Sequence, residues 1–588
     1  MMCSRVKGAD MNEHDLVIRN GTIIDGSGAD RFVGDVAVTS GVITHVGDVE
    51  GSGAREVDAT GHIVFPGFVD IHTHYDGQAT WDQQLAPSSW HGVTTVVAGN
   101  CGVGFAPVTP DNRERLIQLM EGVEDIPGVA LHEGLSWEWE TFGEYLDYLD
   151  RTPRDIDLGT QVPHGAVRLH VMGERGATQE PATQDDIDQM AEIARQAVSD
   201  GALGFTTSRT LNHRTSLGEY TPTLKAEADE LIGIAKGVAK SGRGVLQVVS
   251  DFLEIDGEFE ILQRMAEESG LPLSISVVQA NSDTTKWKEL LDRCAESSLA
   301  GVTMRGQVGA RAVGILMGHV GTLSPFMGSE LYRELAKLPH PDRMVEMVKP
   351  DVKATILEQL AVNTKSHVLG EGLTGRFQFM YELGDPPDYE PDPETSIGNR
   401  ARRDGIEPAD LAYDVLLQGD GVGFLYMPLL NYRAGNLDVV REQLLHPAAV
   451  PGLSDGGAHV GTICDVSFPT TLMQWLGRDR PEGRIPLETI VQKQSRSTAE
   501  TVGLLDRGLL APGYKADINV LDFEAMKLRA PEMHYDLPAG GKRLLQRVEG
   551  YRHTFVSGVE IVADGESTGA TPGGLVRGQQ ADPGLATV

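Results

Sequence analysis

The chain has 588 residues, 40% of them hydrophobic, enough to bury a large core and to exceed one ordinary domain. Its 50 Lys and Arg against 85 Asp and Glu give a formal net charge of −35. Such a surface repels phosphate backbones and anionic lipid, so neither nucleic acid nor membrane is an expected partner, and a small molecule is. Four cysteines, Cys3, Cys101, Cys294 and Cys464, are scattered rather than arranged as a disulfide framework, which points to a reducing compartment. Met1 to Glu13 lack the apolar run of a signal peptide and no later stretch has the length of a membrane span, so the expectation is a cytoplasmic protein. Met11 is a candidate true start, with Met1 to Asp10 as a disordered extension.

In chain order, DLVIRNGTII (15–24) alternates apolar and polar residues as a half-buried strand does. DVAVTSGVITHVG (35–47) predicts a hairpin about Ser40-Gly41, and REVDATGHIVFPG (55–67) a second about Thr60-Gly61. Short apolar runs then alternate with helical segments: 91–98 before 111–123, 185–200 before 202–206, 226–241 before 244–249. That rhythm predicts an α/β fold, parallel strands with helical crossovers closed into a barrel over 67–504. Residues 381–405, rich in Pro and Asp, read as an exposed insertion, a solvated loop in preference to an active-site lid. The β pattern returns at 517–523 and 551–565, where Ser557-Gly558 supplies a turn, so segments 13–66 and 505–565 should meet in one small β domain. The Gly- and Pro-rich tail, 566–588, should wrap the surface or stay disordered.

The sharpest chemical feature is FVDIHTH (68–74). Side chains on a strand alternate faces, which puts Phe68, Asp70, His72 and His74 on one side, and the two imidazoles can then chelate one divalent ion. Asp455, in VPGLSDGGAHVG (450–461), sits where an apolar stretch meets a Gly-rich turn, a position from which a carboxylate can bind metal and take a proton from attacking water. His459 in the same segment joins the candidate substrate contacts. Cys101, in VVAGNCGVGF (96–105), stands at a similar strand-to-loop junction, as a thiolate ligand or a buried inert thiol. His164 and Arg168 are candidates for positioning substrate or for satisfied core polar groups. His213 and Arg214, in TSRTLNHRT (207–215), are candidates for clamping a substrate carboxylate, or a capping histidine and a surface arginine. No phosphate-binding Gly-rich loop with Lys-Ser or Lys-Thr is present, and the chemistry that the histidine pair and Asp455 suit is hydrolysis by metal-activated water.

DLVIRNGTIIDGSG (15–28), FPGFVDIHTHYDGQ (65–78), HGVTTVVAGNCGVGFAP (91–107), GALGFTTS (201–208) and GLLAPGYKADINVLD (508–522) resemble, in order, blocks of the N-acyl-D-amino-acid deacylases, or D-aminoacylases, of the amidohydrolase superfamily. The resemblance implies a TIM-type (β/α)8 barrel beside a small β-sandwich domain built from both chain ends. It also implies His72, His74, Cys101 and Asp455 as metal ligands, with Asp455 the catalytic acid and base, and hydrolysis of an N-acyl amide to a carboxylate and a D-amino acid.

The chain departs from that pattern on two later strands, where such deacylases carry histidines. GVLQVVSDF (244–252) and LPLSISVVQAN (271–281) offer Gln247, Ser250, Asp251 and Gln279 instead. The expectation is therefore one ion per chain, zinc by ligand type, held by His72, His74 and Asp455 with Cys101 ligating or idle. Two alternatives stay open: a cyclic-amide hydrolase of the hydantoinase or dihydropyrimidinase kind, against which GALGFTTSRT lacks a lysine to be carboxylated, and a non-catalytic degenerate barrel. A homo-oligomer is compatible with the sequence, and nothing in it selects one.

Overall fold

The computed structural model describes residues 13–362 and 372–585; the Met11 start and Cys3 lie outside them. Both chain ends meet in one nine-stranded sheet. The N-terminal segment supplies His14–Ile23, Phe32–Thr39, Val42–Gly47, Gly53–Asp58 and Ile63–Pro66, and the C-terminal segment Ile518–Leu521, Tyr551–Val556, Val559–Ala563 and Glu566–Ser567. The seam is the antiparallel pairing of Ile63–Pro66 with Ile518–Leu521. Leu16, Ile18, Val36, Val64, Ile518 and Phe555 share one core, which is what the apolar alternation of those strands demands.

Two of the expected hairpins form. Ser40 and Gly41 have φ of 53° and 77°, Ser557 and Gly558 of 49° and 74°, the left-handed pairs that a two-residue hairpin turn requires. The hairpin about Thr60-Gly61 does not form. Gly53–Asp58 pairs parallel with the first half of His14–Ile23, and Ile63-Val64 pairs parallel with its end. The Thr60-Gly61 turn thus offsets the chain along one partner strand rather than reversing it, and the turn chemistry alone does not distinguish the two outcomes.

The barrel has eight strand positions: Phe68–Asp70, Val93–Ala98, Asp157–Thr160 continued by Val162–Pro163, Gly204–Arg209, Val245–Ser250, Leu273–Ser276, Met304–Val308 and Ala449–Pro451. Pairing between neighbours is parallel. Helices such as Gln184–Asp200, Ala228–Ala239, Ile255–Ser269 and Lys286–Leu299 cover its outside, as the alternation of segments predicts. Closure between the eighth and first strands falls just beyond their ends, where His74 N donates to Gly456 O at 2.7 Å and Asp455 N to His72 O at 3.1 Å.

Between the seventh and eighth strands the chain inserts a module with its own core, including Met317, Phe326, Tyr332, Ile356 and Tyr413, around the sheet of Val313–Gly318, Phe424–Leu430 and Tyr381–Glu382. Residues 381–405 belong to it and are not a solvated loop: Tyr381, Leu383, Tyr389, Ile397 and Ala401 are buried. Arg311 lies 3.5 Å from the centre of the Tyr389 ring, a long-range stacking contact that recruits a locally polar segment into the protein. Among the described residues no helix is long and apolar enough to cross a membrane.

The tail follows a definite course. Leu158 N donates to Gly574 O at 3.0 Å and Val576 N to Leu158 O at 2.8 Å, and Val576 is buried among Val69, Val97, Leu203 and Leu504. Deleting residues 570–588 should therefore cost roughly 2–4 kcal/mol, from one buried valine and the lost hydrogen bonds. Urea denaturation of the truncated chain measures this, and an unchanged midpoint would show the tail to be dispensable.

Candidate metal centre

The first barrel strand ends at Asp70, and the chain continues extended, so His72 and His74 project to one side as their spacing predicts. Each Nδ1 has a polar neighbour, and that of His72 is hydrogen-bonded to it. His72 Nδ1 is 2.7 Å from Gln307 Oε1 on the seventh strand, and His74 Nδ1 is 3.3 Å from Glu124 Oε1 at the end of helix Arg113–Glu124. Both Nε2 atoms then face Asp455, with Oδ1 3.5 Å from that of His72 and 3.6 Å from that of His74. Cys101 Sγ is 3.3 Å from His72 Nε2.

These separations test whether the residues suit a metal. Ligands at zinc bond lengths of roughly 2.0–2.3 Å in a tetrahedron stand about 3.3–3.8 Å apart, and the observed 3.3, 3.5 and 3.6 Å fall in that range. The ligand atoms of His72, His74 and Cys101 all lie within 4.8 Å of one another. The His72 Nδ1 hydrogen bond to Gln307 is the kind of support that fixes the tautomer of an imidazole offered to a metal. The two histidine side chains are 1% exposed and Asp455 is 20% exposed, so the carboxylate is the member of the set that an incoming molecule can reach.

The electrostatics also call for a cation. Burial, reinforced by the charges of Asp455 and Asp76, pushes the Glu124 carboxyl well above its ordinary range. Burial, Glu124, Asp455 and Asp76 do the same to the Cys101 thiol. Burial opposes ionisation of Asp455, but the hydrogen bond from His74 and the nearby His72, His74 and His459 outweigh it and hold that carboxyl well below the usual range. Burial lowers the pKa of His74 despite the opposing pull of Asp455. A buried cluster of acids and neutral imidazoles is a site that a divalent ion would stabilise. Three of its residues adopt left-handed backbone, Cys101 at φ 54° and Asp455 and His459 at 51°, strain of the kind found at functional sites.

The remaining candidates divide. His459 Nε2 is 3.6 Å from Glu124 Oε2 and 4.0 Å from Asp455 Oδ2, within the cluster. The His213 ring, half-buried, lies close enough to feel His459, His74, Asp455 and His72. Arg214 points away, over the Tyr220 ring at 4.0 Å with a 2.8 Å bond to its hydroxyl. His164 and Arg168 are committed elsewhere, Nε2 of one and Nε of the other at 3.0 and 2.8 Å from Glu230 Oε1, so their core reading fits the contacts. Gln247 Oε1 accepts from Cys101 N at 3.3 Å, and Gln279 bonds to Asn431 and Thr284. Glu124 and Gln307 were not anticipated: Glu124 ends a helix and gives no local signal, whereas Gln307, a polar residue near the end of an apolar strand, does.

The profile of the Amidohydrolase family matches residues 55–562, most of the chain. This protein belongs to the amidohydrolase family. It is 26% identical over 577 residues to a D-aminoacylase of Alcaligenes xylosoxydans xylosoxydans, 96% of this chain and 98% of that one. It is 30% identical to an N-acyl-D-aspartate deacylase of the same organism over 223 residues, 38% of this chain and 40% of that protein. An N-acyl-D-glutamate deacylase from Bordetella bronchiseptica, solved with zinc and a phosphonate inhibitor, shares the fold at TM-score 0.62 and 22% identity, covering 96% of this chain and 99% of that one. A D-aminoacylase with a binuclear metal centre does so at TM-score 0.63 and 23% identity, over 96% and 100%. In this amidohydrolase the barrel therefore carries its convergent residues at the strand ends typical of barrel enzymes.

The Glu230 network supplies a test of the scaffold. Burial opposes ionisation of Glu230, but His164 and Arg168 more than offset it and bring its carboxyl down from 4.5 to about 2. A folded-state pKa below the unfolded one gives stability that is present in full above pH 4.5 and is lost as pH falls toward 2. Glu230→Gln should destabilise the protein by about 3–5 kcal/mol at neutral pH, because Arg168 is left buried and unpaired. The gap from wild type should narrow as pH falls through that window, and equal stability at pH 7 in urea denaturation would contradict the account.

Proposed function

We propose that this amidohydrolase is a metal-dependent deacylase that cleaves linear N-acyl amides, N-acyl-D-amino acids being the substrate class. The observation that carries the reading is the convergence of His72, His74 and Cys101 at ligand spacing, with Asp455 Oδ1 3.5 and 3.6 Å from the two imidazoles, on a fold with a D-aminoacylase relative over nearly its whole length. One ion per chain is the count proposed, zinc by the softness of imidazole and thiolate. The side-chain amides of Gln247 and Gln279 are engaged with Cys101 N and Thr284 O, which argues against a second ion between those strands. The strand Gly204–Arg209 holds no lysine, which leaves the cyclic-amide alternative without the bridging ligand it would use.

A divalent ion at this site would supply Lewis acidity to the scissile carbonyl and to the attacking water. The protein's own part is proton handling. Asp455 Oδ1 faces the two imidazoles, while Oδ2, on the His459 side, remains to take a proton from water and return it to the leaving nitrogen. The C–N bond breaks as that nitrogen is protonated, giving a carboxylate and a free amine. Gln307 keeps the His72 imidazole aimed throughout.

The test is amine release from matched N-acyl-D- and N-acyl-L-amino acids with and without chelator. Cleavage of the D series should depend on metal, vanish in His72→Ala, and fall about 10²–10⁴-fold in kcat in Asp455→Asn. Metal-independent cleavage, or none in either series, overturns the reading. Gln307→Ala should weaken metal binding roughly 10–100-fold, read by competition with a chromogenic chelator, and wild-type affinity would remove its supporting role.

A further inference from the structure

Resting on the deacylase reading, we propose that His213 is a catalytic residue whose Nε2–H donates to the oxygen of the scissile carbonyl as negative charge gathers there, and that Asp251 positions it. The fourth barrel strand, Gly204–Arg209, runs against the loop of Cys101. Gly102 N donates to Thr206 Oγ1 at 3.1 Å, and Gly102 approaches so closely that an added Cβ would stand 3.0 Å from Thr207 Cα and 3.1 Å from Ser208 N. Ser208 is thus packed beside the metal-centre loop, and its hydroxyl lies 2.9 Å from His213 Nδ1. With that hydroxyl donating, a neutral ring carries its proton on Nε2, for which the described residues provide no hydrogen-bond partner.

The loop between Ser208 and His213 is folded back by one carboxylate. Asp251 accepts from Thr210 Oγ1 at 2.5 Å, from Leu211 N at 2.7 Å and from Asn212 Nδ2 at 3.3 Å. Asp251 is itself held by its own segment, since Lys286 Nζ bonds the carbonyls of Asp251 and Phe252 at 3.3 and 2.7 Å. A residue just past the fifth strand therefore orders the loop of the fourth.

Two further observations favour a donor over the carboxylate clamp that the sequence suggests. His213 Nδ1 is taken up by the Ser208 hydroxyl, so the ring has one N–H to offer and not the forked pair of donors that matches a carboxylate. His459 is already engaged with Glu124 and Asp455, and Arg214 with Tyr220, which leaves His213 as the neighbouring imidazole with an uncommitted N–H. The chemistry needs such a group: water adds to the acyl carbon, its proton passes to Asp455, and the former carbonyl oxygen becomes an oxyanion until the C–N bond breaks.

The experiment uses the metal-loaded full chain, comparing His213→Ala, His213→Gln and Asp251→Asn with wild type on the best N-acyl-D-amino acid. His213→Ala should lose about 10²–10³-fold in kcat, the effect of deleting one oxyanion donor, with KM and metal content unchanged. His213→Gln, which keeps an N–H donor, should recover part of that loss, and Asp251→Asn should lower kcat by less than His213→Ala does. A His213→Ala protein that keeps wild-type kcat overturns the proposal alone, and one that loses its metal overturns it by making His213 a ligand. Absence of amine release by wild type from both D and L series overturns the deacylase reading and this proposal with it.

Discussion

Closing the barrel and assembling the candidate metal centre are one event in this fold. The hydrogen bonds that join the end of the eighth strand to the end of the first are His74 N to Gly456 O and Asp455 N to His72 O, with Ser454 Oγ donating to the buried carboxyl of Asp70 just below. The residues whose backbones close the cylinder are those whose side chains converge. Sequence positions nearly 400 apart are brought into register by the same pairing that removes the sheet's free edges. The left-handed backbone at Leu453, Asp455 and His459 lets the chain turn out of the eighth strand while presenting the Asp455 carboxylate inward. Each such residue costs on the order of 1–3 kcal/mol, and the closing hydrogen bonds hold it there.

Around that closure the protein places polar groups in two ways. Near the cluster it accumulates acids without a matching basic side chain, so that Glu124 and Asp76 are driven toward protonation, Asp76 up to about 7. Away from it, buried charge is neutralised: Arg168 by Glu230, Arg507 by Asp157 at 2.7 Å, Arg311 by Asp465 at 3.1 Å. The contrast separates scaffold from site. A buried ion pair closed within the protein adds rigidity and leaves little capacity for a ligand, whereas an acid cluster short of positive charge is completed by a cation from outside.

The sequence carries the first layer of the site because that layer is local. Strand alternation aligns His72 with His74, and a carboxylate or thiol at a strand-to-loop junction is recognisable at Asp455 and Cys101. The second layer is not local: Glu124 reaches His74 only because a helix end packs against the first strand, and Gln307 reaches His72 from across the barrel. The same distinction explains the fold. Turns with left-handed pairs mark hairpins at Ser40-Gly41 and Ser557-Gly558, yet the similar chemistry of Thr60-Gly61 merely shifts the chain along a shared partner. Residues 381–405 look solvated by composition, and what buries Tyr389 is an arginine some 80 positions earlier in the chain. Polar composition predicts exposure only where no distant partner answers it.

The C-terminal hairpin shows how far this non-local construction goes. Lys527–Leu537 and Gly541–Glu549 lie between two strands of the small β domain but pair only with each other, and their tip leaves that domain for the barrel. There Leu544 N donates to Val460 O at 2.6 Å, while Lys542 Nζ bonds the carbonyls of Val320 and Gly321 in the inserted module at 2.9 and 2.8 Å. Thr322 N in turn donates to Gly461 O at 2.9 Å. The segment carrying Asp455 and His459 is therefore gripped from the barrel, from the insertion and from the hairpin. A strained loop keeps a side chain aimed only if its surroundings over-determine it, and here three parts of the chain that fold from different sequence regions supply that constraint together.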